Sequence, residues 1–290
     1  LILYELRDGP LQGFRGRGAE LPAVLLAPFK IWLNNSLNYF LDQSKFIFLC
    51  VSFAERSMVS LYFQISNPVK MLSLVEENYL KAIYHLSDAG KIAVSTNALA
   101  DNMNNRAASV TDMIKRLSLK GVITYEKYHG VNISDNGKRA ALKVIRKHRL
   151  WETFLVDKLN FNWDEVHEVA EQLEHIQSPL LIEKLDSFLG HPAVDPHGHP
   201  IPDKDGKIQE VKQLPLSDMA AGRKGRVLSV GDGSPTFLQY LSKIGIQIGT
   251  AIKILERIEF DGSLEILIDN KERVFISKQA SENLLVKEGT

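Results

Sequence analysis

The sequence predicts a mainly α protein with a small β complement, arranged as a winged helix-turn-helix, a block of helices and a C-terminal SH3-like β-barrel. Three observations carry that prediction. Residues 71–134 read as helix, helix–turn–helix and hairpin. Residues 135–190 carry helical periodicity and capping signals alone. Residues 214–290 alternate short apolar runs with Asp-Gly and Asp-Asn turns. At 290 residues, 24% charged and 44% hydrophobic, the chain has room for about two domains or three small ones, and its composition excludes wholesale disorder. A single cysteine, Cys50, excludes an internal disulfide framework and a multi-cysteine zinc site. Apolar stretches such as 46–54 fall short of the ~20 residues of a membrane span, so a reduced, cytoplasmic protein without membrane association is expected.

Residues 1–70 do not read like the rest. They begin with Leu, hold 11 of the 24 aromatic residues, and show neither helical nor strand periodicity. Met71 reads as the natural start, so the extension is expected not to be part of the native protein. From there each element has its own signal. Ser73 and Glu76 form a capping box ahead of a helix whose apolar positions are Leu74, Tyr79, Leu80, Ile83 and Leu86. A short helix covers about 95–103, and a third runs to Lys120 with Val110, Ile114 and Leu117 inward and Gly121 ending it. Residues 122–133 read as two strands turning near His129-Gly130. Helices are expected over about 136–159, from a second capping box at 162–165 to Ser178, and over 179–189. The Pro-, Gly-, Asp- and His-rich stretch 191–213 reads as a linker. Strands are expected at 225–230, 251–258, 264–268 and 273–276, with a helix after Ser234-Pro235.

Net charge is zero but strongly partitioned. Residues 106–149 hold 11 basic and 3 acidic residues, a net of +8; residues 150–220 hold 5 and 14, a net of −9. The basic block suits a polyanion and the acidic, His-bearing block suits cations, although both could be solvated faces. The third helix exposes Arg106, Ala108, Ser109 and Thr111, then Asp112, Lys115 and Arg116, a mix able to meet base edges and phosphates. Lys127 and His129 lie at the wing tip, and the 146–149 run adds further candidate phosphate contacts. In the acidic block, His167, Glu171, Glu174 and His175 share one helical face, and His148 and Glu152 lie one turn apart on the preceding helix. Mixed imidazole and carboxylate donors suit divalent first-row metals.

The strings Glu77-Asn-Tyr-Leu-Lys-Ala-Ile-Tyr84, Arg146-Lys-His-Arg-Leu-Trp-Glu152, Val166-His167 with Glu174-His175, and Gly190-His-Pro with Asp195-Pro-His-Gly-His-Pro-Ile-Pro202 occur in this order. In them residues 71–290 resemble the diphtheria-toxin-repressor (DtxR/MntR) family of metal-dependent transcriptional regulators, leaving 1–70 unmatched. The resemblance implies a homodimer with a helical dimerisation domain at 135–190 and a FeoA-like barrel, binding palindromic operator DNA when two sites per subunit fill with Mn(II) or Fe(II). It implies an ancillary site of His148, Glu152 and His167, with Asp232 as a candidate from the barrel. The implied primary site is Glu171, Glu174 and His175 with Asn78 from the first helix, so that the ion joins that helix to the dimerisation helices. Glu171 stands where iron-type members carry cysteine, which favours the harder Mn(II). Asn78 and Lys81 stand where manganese-type members carry acids, which narrows that lead. Two rival readings are a metal-independent winged-helix regulator with a small-molecule effector, and a di-metal enzyme. The metal-site helices lack the paired Glu-x-x-His motifs of the latter.

Overall fold

The computed structural model describes residues 72–209 and 211–289. The expectation for 1–70 lies outside the described residues.

Helix α1 (Leu74–Leu86) starts on the capping box: Ser73 Oγ accepts from the Glu76 amide, and the Glu76 carboxylate accepts from the Ser73 amide at 2.7 Å. Helices α2 (Thr96–Asn102) and α3 (Ala107–Leu119) follow, then the antiparallel wing of β1 (Ile123–Glu126) and β2 (Gly130–Ile133). Leu80, Ile83, Leu99, Val110, Ile114, Leu117 and Val131 form the buried core of this part. Leu74 is exposed instead of inward. It lies nine residues before Ile83, two and a half helical turns, and so faces the opposite way.

Helix α4 (Asp135–Leu159) is capped by Ser134 and closes with Asn160 in the left-handed region. Its first turn lies against the wing, where a Cβ on Gly137 would stand 2.0 Å from the Val122 carbonyl oxygen; only glycine permits that approach. Two shorter helices, α5 (Val166–Leu173) and α6 (Pro179–Phe188), complete the helical block around Leu150, Leu155, Val166 and Ala170. The helix read from 162 to 178 is therefore shorter at both ends. Asn162 and Glu165 do pair, but in a turn ahead of the helix. Beyond Leu173, the side chains of Glu174 and His175 are drawn onto α1, and those long-range bonds replace a further helical turn.

Residues 191–203 have no helix, as expected of a loop, yet they are not a free linker. Asp195, His197 and Ile201 are buried. Arg146 donates to the Pro202 carbonyl at 2.6 Å, and Arg149 to that of Pro200. Arg149 also pairs with Asp195 at 3.4 Å. The segment is a strap over α4.

The C-terminal part comprises β3 (Leu214–Pro215), β4 (Lys224–Val230), α7 (Pro235–Lys243), β5 (Ala251–Arg257), β6 (Leu264–Ile268), β7 (Glu272–Ile276), α8 (Lys278–Glu282) and β8 (Leu284–Gly289). The strands form an antiparallel SH3-like sheet in the order β3-β8-β4-β5-β6-β7. Leu238 and Leu241 of α7 pack into its core with Val227, Ile254, Leu264 and Ile276. Trp163 packs against that core and donates from its indole to Ser242 Oγ at 2.9 Å, joining barrel and helical block.

Candidate metal centre

Helix α4 sets His148 and Glu152 one turn apart, both buried. The His148 ring is held on both sides: Nε2 lies 2.9 Å from Glu152 Oε1 and Nδ1 lies 2.6 Å from Glu174 Oε2. From α5, His167 Nδ1 approaches Glu152 Oε1 at 3.6 Å, and its ring lies edge-on to that of His148 with centroids 4.9 Å apart. His148, Glu152 and His167 thus offer ligand atoms within 4.8 Å of one another. The strap adds a group that sequence reasoning missed. His197 turns Nδ1 toward Glu152 Oε2 at 3.5 Å, while its Nε2 bonds the Trp163 carbonyl at 2.7 Å. A carbonyl only accepts, so Nε2 carries a proton there and the orientation of the ring is fixed.

Burial disfavours charge on His148, but its hydrogen bonds to Glu152 and Glu174 outweigh that penalty and raise its pKa to about 9. Glu152 is penalised by burial too, yet hydrogen bonds from His148, His167 and His197 hold it far below the usual carboxylate range. Two imidazoles and one carboxylate converging in this way fit a divalent ion by donor chemistry and by reach.

The second donor set is assembled differently. Glu174 is fully buried and presents its oxygens to Lys81 Nζ at 2.8 and 2.9 Å, while Glu171 Oε1 approaches the same nitrogen at 3.3 Å. His175 lies against α1 through Glu77, with Nδ1 to Oε2 at 2.7 Å, and its Nε2 is 3.7 Å from Glu174 Oε1. Gln177 donates to the other Glu77 oxygen at 2.9 Å. Asn78, on the same helix, keeps its side-chain oxygen buried without a hydrogen-bond partner among the described residues. So Glu171 and Glu174 are brought together around a lysine, and His175 is brought to Glu77, which the sequence did not single out. Asp232 accepts from the Ser234 amide at 2.8 Å ahead of α7, and nothing among the described residues bonds it to either cluster.

Arg106, at the N-cap of α3, and Ala108, Ser109, Asp112, Lys115 and Arg116 on it are exposed. Thr111 is half-buried and its hydroxyl donates to the Ala107 carbonyl at 2.8 Å, so it serves its own helix. At the wing tip Lys127 lies over the exposed Tyr128 ring, 5.0 Å from its centre, and His129 is exposed. The 146–149 run is not a phosphate-facing surface. Arg146 pairs with Asp186 at 2.9 Å, Arg149 with Asp195, and Lys147 faces Glu77 at 3.9 Å. Among the described residues no helix is long and apolar enough to cross a membrane.

Comparison with known proteins follows the same three parts. Residues 71–131 match the N-terminal DNA binding domain of iron dependent repressors, 134–203 their metal binding and dimerisation domain, and 214–288 the FeoA domain. The strap thus falls within the second match. A solved manganese-dependent transcriptional repressor in complex with manganese is 35% identical, with a TM-score of 0.68, over 74% of this chain and 100% of that one. The manganese regulator SloR is 31% identical, TM-score 0.61, over 74% and 98%. The iron-dependent repressor IdeR of Mycobacterium leprae (strain TN) is 28% identical over 159 residues, 55% of this chain and 67% of that protein. Across the mycobacterial curated relatives it matches, the chain spans 54 to 67% of their length.

Proposed function

The chain belongs to the iron-dependent, or diphtheria-toxin, repressor family of metal-dependent transcriptional repressors, and from that premise we propose how it works: as a homodimer that binds operator DNA when Mn(II) or Fe(II) is held by His148, Glu152 and His167. The observation that carries this reading is the convergence of those three side chains from α4 and α5 on one point. A bound divalent ion supplies there the positive charge that lets buried carboxylate and imidazole share a site. The donors include no sulfur, which favours harder ions of the manganese type. The family is one of repressors, and no catalytic step is part of this reading.

α4 is the element that links the centre to DNA. Its C-terminal half carries His148 and Glu152; its first turn carries Gly137 against Val122 and the Ser134 amide on the Val122 carbonyl. A change in how α4 sits is therefore passed to the wing and to α3. α3 then enters the major groove with Arg106 at its start and Ala108, Ser109, Asp112, Lys115 and Arg116 along it, while Lys127 and His129 reach the flanking backbone. Two-fold symmetry of a homodimer demands half-sites related by the same symmetry, a palindromic operator. Such binding takes place in the cytoplasm, with the DNA.

The dimer is assigned to α6 and the end of α4, where Leu180, Leu181, Phe188 and Leu159 are exposed. Leu180→Asp combined with Phe188→Asp is expected to give a monomer by light scattering. Operator affinity should then fall about 100-fold, since the second half-site no longer binds as a tethered partner. A double variant that stays dimeric would remove this assignment.

The deciding experiment is fluorescence anisotropy on selected operator DNA, in EDTA and then with Mn(II), anaerobic Fe(II) and Zn(II). Metal should tighten binding by roughly 5- to 150-fold, the range of ordinary allosteric coupling, with Mn(II) acting at the lowest free concentration. Binding that ignores EDTA would overturn the proposal; binding best served by Fe(II) would overturn the preference for Mn(II) alone.

A further inference from the structure

Lys81 is the one residue of the second donor set whose chemistry contradicts a metal site. An ammonium has three protons and no lone pair to give a metal. Its nitrogen lies within hydrogen-bond distance of three carboxylate oxygens: Glu174 Oε1 at 2.8 Å, Glu174 Oε2 at 2.9 Å and Glu171 Oε1 at 3.3 Å. Hard divalent ions bind oxygens at roughly 2.0–2.6 Å. An ion on these oxygens would overlap the nitrogen, so the two cations exclude each other. Glu174 is fully buried, and a buried carboxylate that stays ionised needs a paired cation. Lys81 provides one from α1, while His148 bonds the same carboxylate from α4.

We propose, resting on the reading above, that the Lys81 ammonium stands in for a second divalent ion. The chain then binds one ion per subunit, at His148, Glu152 and His167, and a side chain of its own ties α1 to the metal-binding helices. Asn78 gives the arrangement its reversibility by mutation. It lies one turn before Lys81 on the same helix, and its side-chain oxygen is buried without a partner among the described residues. With the ammonium removed, that oxygen, Glu171, Glu174 and His175 form a donor set of oxygen and imidazole suited to Mn(II).

The test is the metal content of the full chain, by plasma mass spectrometry after equilibration with Mn(II) and gel filtration, together with calorimetric titration. The wild type should bind one ion per subunit, and Lys81→Gln or Lys81→Glu should bind two. Two ions in the wild type would overturn the inference and leave the metal-dependent repressor standing. No ion in the wild type would overturn both. One ion in the wild type and still one in both folded variants would show that the ammonium is not what excludes the second, and would also overturn it. The wild-type stoichiometry needs no variant to fold, so the inference stays open to refutation either way.

Discussion

Glu152→Gln is expected to weaken Mn(II) binding by more than about 100-fold, and to leave operator binding indifferent to metal while the folded dimer persists. Glu152 is the hub of the centre. The residue is 2% exposed, and its carboxylate faces His148 at 2.9 Å, His197 at 3.5 Å and His167 at 3.6 Å. Glutamine keeps the shape but loses the charge and one acceptor. Loss of an outer partner to a metal ligand alone costs about 10–100-fold in affinity, and Glu152 would itself be a ligand. Calorimetric titration of the variant checks the expectation, with gel filtration to confirm the dimer. An isotherm that overlays the wild type would remove Glu152 from the centre.

The metal-free protein is expected to lose about 3 kcal/mol of stability as the pH rises from 6.5 through about 9. The pKa of His148 is raised to about 9, because its hydrogen bonds to Glu152 and Glu174 outweigh burial, and an unfolded histidine titrates near 6.5. A group whose folded pKa is raised gives stability that is complete below its unfolded pKa and disappears as pH passes the folded one. At about 1.4 kcal/mol per unit, the shift sets the size of the loss. His197, raised by Glu152 against the penalty of burial, adds in the same direction. The depressed Glu152 acts on the acid limb, where its contribution is lost only as pH falls toward its folded pKa. Urea unfolding in EDTA at pH 6 and pH 9.5 measures the difference. Glu152→Gln should flatten most of the slope, and a wild-type profile already flat would contradict the buried imidazolium.

Local signals carried most of the fold. Ser73 and Glu76 form the expected capping box, and Ser95, Ser134 and Ser178 accept amides at helix starts that lie within two residues of the expected ones. The end of α5 had no such mark. Between Leu173 and Pro179 nothing in the sequence breaks a helix; what ends it is the pull of Glu77 and Lys81, about ninety residues earlier in the chain. The same distance hid the role of Lys81, whose positive charge disqualifies it as a ligand and suits it as a counter-ion. Glu77 went unnoticed beside Asn78, although an acid one residue from an expected donor was a usable hint. His197 lay in a stretch read as linker because Pro, Gly and Asp predict a turn without saying what the turn is pressed against. In the barrel, β3 is two residues long and β8 ends in a charged tail, too little pattern for either to be recognised.

The strap has a consequence for when the centre is complete. At Gly198 a Cβ would stand 1.8 Å from the Leu228 carbonyl oxygen of β4, while the neighbouring His197 carbonyl accepts from the Val230 amide. On its other side the strap is held by Arg146 and Arg149 of α4. Both sets of contacts exist only where the helical block and the barrel have each folded. His197, carried by that strap, turns toward Glu152 under the same condition. The centre therefore has all its groups in place only in molecules whose two domains are both formed.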